Sequence, residues 1–180
     1  MKNILTYYLL AFAWCVAACT LNAQQEKEER PTETATMKMV AAKNVQWSTQ
    51  YLPTAFHVMR AGKSNPQLTV AQKDSIANLY YPFYYFRATV AGTPVSLTKE
   101  TMQYMSYGME QDFAMVVDAD TIAPYFSQAI ATGNSNAHEF MLAFPRIDTT
   151  AALPVKIIFH DRVFGSGQTY CVFNSNDLKD

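Results

Sequence analysis

The sequence predicts an all-β fold: an antiparallel β-sandwich of about seven strands with one or two short helices. Three observations carry this expectation. Seven short segments are rich in aromatic and β-branched residues, which fit a pleated, half-buried surface. Stretches bearing Asp, Asn, Ser and Gly fall between several of them, as hairpin turns require. Helical spacing is confined to two places.

The expected strands are Ala55 to Arg60, Phe83 to Val90, Asp112 to Val117, Thr121 to Ile130, Glu139 to Phe144, Val155 to His160 and Gln168 to Phe173. Asp118-Ala119-Asp120-Thr121 reads as a tight hairpin turn, because Asp tolerates the left-handed region. Thr132 to Asn136 reads as a longer hairpin loop, and Phe164-Gly165-Ser166-Gly167 as a third turn. The first expected helix spans Val70 to Asn78, with Thr69 as its cap. The second follows Thr98, with Met102, Met105 and Met109 at helical spacing and Gly108 able to end it. Closely spaced short strands with little helix fit two packed sheets, in an immunoglobulin-like or transthyretin-like arrangement.

Ahead of these elements the chain reads as an address. Lys2 supplies a positive charge and Ile4 to Val16 an apolar stretch, shorter than the roughly 20 residues a spanning helix needs. Val16-Ala17-Ala18-Cys19 closes that stretch and resembles the lipobox of bacterial lipoproteins. The resemblance implies a signal peptide over 1–18, cleavage before Cys19, and a lipid on its thiol that anchors the protein in the cell envelope, most readily the outer membrane. The alternative is cleavage at Ala23, after Leu21-Asn22-Ala23, which releases a secreted or periplasmic protein. Residues 19–44 read as the lipidated N-terminus and a tether, since Gln24 to Pro31 has no apolar period. Within it, Lys27-Glu28-Glu29 resembles the charged export signals of surface lipoproteins in Bacteroidetes. The sandwich domain is expected over 45–180.

Cysteine usage leaves only Cys171 in the folded part, so its core must hold it together without an intrachain disulfide. A formal net charge of −1, from 14 basic and 15 acidic residues, argues against a nucleic-acid surface.

The densest feature is Tyr80-Tyr81-Pro82-Phe83-Tyr84-Tyr85-Phe86, with six aromatic residues in seven. Alternation sends Phe83 and Tyr85 to one face of a strand and Tyr84 and Phe86 to the other. Such a run serves as a central strand with apolar surface on both faces, or as a platform for sugar rings or a partner's side chains. Tyr80, Tyr81, Tyr84 and Tyr85 are therefore candidate binding residues. Arg162, in the distinctive Asp161 to Gly167 loop, is a fifth candidate; its structural alternative is to brace that turn through backbone carbonyls.

Chemistry-bearing patterns are sparse. His57, His138 and His160 stand at no metal-binding spacing, and surface or edge positions account for them. Asp118 and Asp120 lack the further acidic positions of a calcium loop. There is no nucleophile elbow or phosphate-binding loop, and Cys171 sits in an apolar strand. No cofactor and no metal is expected. The leading expectation is an envelope-anchored lipoprotein acting as a non-catalytic protein-binding or assembly-accessory module. The alternatives are a glycan-binding lipoprotein using Tyr80 to Phe86, and a hydrolase whose site is assembled from distant residues.

Overall fold

The computed structural model describes residues 36–133, 137–147 and 153–180. The expected signal peptide, Cys19 and the tether up to residue 35 lie outside the described residues, as do the last three residues of the Thr132 to Asn136 loop. The first elements are strands β1 (Met37–Ala42) and β2 (Val45–Leu52), followed by helices α1 (Thr54–Ser64) and α2 (Val70–Tyr80) and strand β3 (Phe83–Gly92). Helix α3 (Lys99–Tyr107) and a 3-10 turn (Met109–Asp112) lead into β4 (Phe113–Val117), β5 (Asp120–Ile122) and β6 (Phe126–Ile130). The last strands are β7 (Ala137–Pro145), β8 (Val155–His160) and β9 (Gln168–Phe173), before a closing 3-10 turn at Ser175–Leu178.

Two antiparallel sheets result, one ordered β1-β2-β3-β7-β6 and the other β5-β4-β8-β9. Their inner faces share one core. Trp47 lies against Phe113 and Phe159, with ring centroids 6.4 and 6.0 Å away, and Phe86 against Phe173 at 5.1 Å. Strand alternation builds this core. In β2, Val45, Trp47, Thr49 and Tyr51 are buried while Gln46 between them is exposed. In β3 and β7, Phe86, Ala88, Val90, Phe140, Leu142 and Phe144 are inward and fully covered.

The fold is mixed α/β, not the all-β sandwich with one or two short helices that the sequence predicts. Helices of 11, 11 and 9 residues stand beside the two sheets. The segment Ala55 to Arg60, expected as the first strand, lies inside α1. Its apolar residues have helical spacing: Ala55, Val58 and Met59 fall on one side, Phe56, His57 and Arg60 on another. Pro53 at the N-cap and Asn65-Pro66 beyond the end delimit it.

Two further differences concern the strands. Thr121 to Ile130, expected as one strand, is two: Ala123 and Pro124 interrupt it, β5 joins the smaller sheet, and β6 ends the larger one. Strands β1 and β2 are additional to the expected seven, and β1 pairs with β2 from Met37↔Gln50 to Ala42↔Val45. The larger sheet thus begins at Met37, within the stretch expected as tether.

Thr69 caps α2 in a reciprocal capping box with Gln72, and Thr98 caps α3 by accepting from the Thr101 amide. Met105 packs α3 on the core, and Met109, in the 3-10 turn that follows, is fully buried. The β4–β5 hairpin turns at Asp118, whose φ is +54°. The β8–β9 turn is fixed by Asp161. One of its oxygens accepts from the amides of Val163 and Phe164, and the other from the amide and hydroxyl of Ser166.

Candidate functional site

The outer face of the larger sheet carries a cleft of about 960 Å³ between α1 and edge strand β6. Its floor is made by alternate residues of the sheet: Leu52 from β2, Tyr85 and Arg87 from β3, Met141 from β7, and Phe126, Gln128 and Ile130 from β6. One wall is the face of α1 that presents Phe56, His57 and Arg60; Tyr80, at the end of α2, closes over it. Tyr125, just ahead of β6 and 77% exposed as a residue, stands at the other side with its ring stacked on Phe83 at 5.0 Å.

The rings meet at a corner. Tyr80 stacks on His57 at 4.0 Å with planes 9° apart, and Tyr85 tilts about 60° to both, at 4.6 Å from His57 and 5.1 Å from Tyr80. His57 is only 7% exposed, and its Nε2 has no hydrogen-bond partner among the described residues. Burial, followed by the Arg60 charge, pushes its pKa down to about 4, so the imidazole is neutral at pH 7. Burial likewise raises the Tyr85 phenol, with Tyr80 adding to the effect.

Two guanidinium groups line the same space. Arg87 is held by Glu139 through its Nε at 2.8 Å. Arg60 makes no ion pair among the described residues, and no Asp or Glu lines the cleft. The site therefore offers aromatic edges and faces, one neutral imidazole and one uncompensated positive charge. That combination suits a ligand with an apolar body and a few polar groups.

The tyrosine run is divided by the fold. Tyr80 and Tyr85 enter the cleft. Tyr81 and Tyr84 instead flank Arg146, whose guanidinium carbon lies 4.7 and 4.8 Å from their ring centroids. Arg146 also donates to the Asp180 carboxylate and the Tyr51 hydroxyl, and Asp180 accepts from the Thr54 amide at the start of α1. This network pins the helix to the sheet. β3 is the middle strand of its sheet, with Tyr84 and Phe86 toward the core and Phe83 and Tyr85 outward.

Arg162 does not line the cleft. Its Nε lies 3.0 Å from Asp112, a carboxylate 1% exposed, and its guanidinium sits 5.8 Å from the Tyr104 ring. Burial raises the Asp112 pKa to about 6 against the opposing pull of Arg162, and Asp161 adds to the rise. Asp161, not Arg162, braces the turn. Cys171, on β9, is buried, which pushes its thiol up to about 11.

The histidines are separated: His57 on α1, His138 on β7 and His160 at the end of β8. A second groove of about 830 Å³ runs between α1 and α2 past Val58, Met59 and Ala77, with Lys63 and Lys73. It lacks the convergence of rings and polar groups found in the cleft.

Sequence reasoning did not single out His57, Arg60, Arg87 or Tyr125 as binding residues. For the first two the available signal was helical: Phe56, His57 and Arg60 stand one turn apart only if the segment is a helix. For Arg87 it was its position two residues after Tyr85, on the same strand face.

No protein-family model matches this chain, and no curated protein does. Among solved structures, it is similar to a protein of unknown function from Burkholderia pseudomallei K96243, at 12% identity and a TM-score of 0.39, over 79% of this chain and 84% of that one. A likeness that distant carries nothing about function.

Proposed function

We propose that this protein is a non-catalytic binding module held at the cell envelope, and that a segment of another envelope protein seats in the cleft between α1 and β6. The observation that carries this reading is the convergence of Tyr80, Tyr85, His57, Arg60 and Arg87 in one open space of about 960 Å³. Aromatic residues and arginine are the side chains that most often anchor protein interfaces. The envelope location rests on the apolar leader and the Val16-Ala17-Ala18-Cys19 pattern.

The test is site-specific photocrosslinking in cells. A photoreactive amino acid replaces Tyr125 or Gln128 at the cleft, and, as a control, exposed Tyr170 on the other sheet. The reading expects a discrete adduct from the two cleft positions, none from position 170, and loss of the adduct when Tyr85→Ala is added. Equal adducts from position 170, or none from the cleft in protein that is folded and membrane-bound, would overturn it.

A further inference from the structure

We infer that the segment taken by the cleft is acidic and carries an aromatic or long apolar side chain beside its carboxylate. This rests on the cleft being the partner's seat and adds the chemistry of what sits there.

Charge is the first argument. Of the two arginines in the cleft, Arg87 is already neutralised by Glu139. Arg60 faces the same space without an ion pair among the described residues, and the lining contains no carboxylate. A cationic ligand would meet only Arg60 and Arg87, whereas a carboxylate finds a planar donor fork matched to its geometry. Close by, more than nine-tenths buried, stands a His57 imidazole whose Nε2 has no hydrogen-bond partner among the described residues. A buried polar atom left unpaired is costly, and the two rings packed on this imidazole, Tyr80 and Tyr85, both line the cleft.

Ring geometry is the second argument. Tyr80 has one face covered by His57, and Tyr85 stands about 60° to it. Rings set as a corner take a side chain inserted between them, in the edge-to-face contact that aromatic groups favour. A sugar ring needs a flat open platform, which this pair does not make.

The third argument favours a polypeptide. The cleft is bordered by β6, an edge strand of five residues without charge or proline. Its backbone makes no backbone hydrogen bond among the described residues outside the ladder with β7. Main-chain bonding along such an edge is open to an extended chain, and native sheets usually blunt such edges.

The probes are random copolymers of glutamate and tyrosine and of lysine and tyrosine, with poly-glutamate and polygalacturonate as further arms. Binding to purified full-length protein in detergent is read by biolayer interferometry. The glutamate–tyrosine copolymer is expected to bind, and Arg60→Glu to weaken it about tenfold or more, as reversal of a paired charge does. The same reversal at Lys99, exposed on α3 and outside the cleft, is expected to change it less than about twofold. Circular dichroism checks that each variant is folded. Equal binding by poly-glutamate overturns the aromatic requirement; preference for polygalacturonate overturns the polypeptide in favour of an acidic glycan; preference for the lysine copolymer overturns the acidic one. If the crosslinks from positions 125 and 128 persist while Arg60→Glu leaves copolymer binding unchanged, the seat stands and its acidic chemistry fails. Loss of both removes the seat itself.

Discussion

Two buried titratable groups make opposite demands on stability, and separating them tests how tightly the cleft wall is closed. His57 has its pKa lowered from 6.5 to about 4 by burial. Between those values the unfolded chain binds a proton that the folded protein refuses, so stability falls as pH is lowered across that window. Asp112 has its pKa raised from 3.8 to about 6, also by burial. Between those values the folded protein holds a proton that the unfolded chain has released, so stability rises as pH falls from 6 to 3.8. At about 1.4 kcal/mol per pH unit, each displacement amounts to about 3 kcal/mol, with opposite sign. The parent is therefore nearly level from pH 7.5 to 4.5. His138, also lowered by burial, tilts it slightly toward acid loss.

Each substitution unmasks the other group. Asp112→Asn is expected to leave a protein that loses about 2–3 kcal/mol of stability from pH 7.5 to 4.5, while His57→Phe leaves one that gains a comparable amount relative to the parent. The assay is urea unfolding at several pH values, followed by fluorescence of Trp47, which is buried against Phe113 and Phe159. Carboxylates such as Asp161 and Asp180 titrate in parent and variants alike and cancel in the difference. Variant profiles that run parallel to the parent's would refute the reasoning, and with it the burial assigned to the His57 imidazole.

Three other outcomes follow from local geometry and from the leader. Asp161→Ala removes the acceptor of four hydrogen bonds in the β8–β9 turn and is expected to cost about 2–4 kcal/mol in urea unfolding, with Asp161→Asn costing less. Gly92→Ala places a methyl 2.5 Å from the Asn44 carbonyl oxygen and 3.0 Å from the Phe164 ring; thermal unfolding should register a loss of about 1–3 kcal/mol. Cys19→Ala is expected to move the protein from the membrane to the soluble fraction, or to stall it unprocessed, on fractionation and immunoblotting. A Cys19→Ala protein that remains membrane-bound and normally processed would refute the lipid anchor.

The strands that the sequence reveals are those whose composition and turns agree. Val155–His160 and Gln168–Phe173 are rich in β-branched and aromatic residues, and the turn between them is punctuated by Gly165 and Gly167, both at positive φ. Thr69 and Thr98 announced their helices because a capping side chain acts locally, on an amide three residues away. β2 was missed although Val45, Trp47, Thr49 and Tyr51 alternate with polar residues, because Gln and Ser dilute its strand composition.

What the sequence by itself determined is local: caps, turns, alternation along β3, and the segregation of Phe83 and Tyr85 from Tyr84 and Phe86. What only the tertiary structure decided is which elements share a surface. Ala55 to Arg60 becomes a helix under Pro53 and Asn65-Pro66, and its N-terminus is held by Asp180, more than a hundred residues away. The cleft joins residues from β2, α1, α2, β3, β6 and β7. Their approach depends on β7 pairing with distant β3 on one side as well as with its neighbour β6 on the other, a choice made by long-range burial that no local pattern encodes.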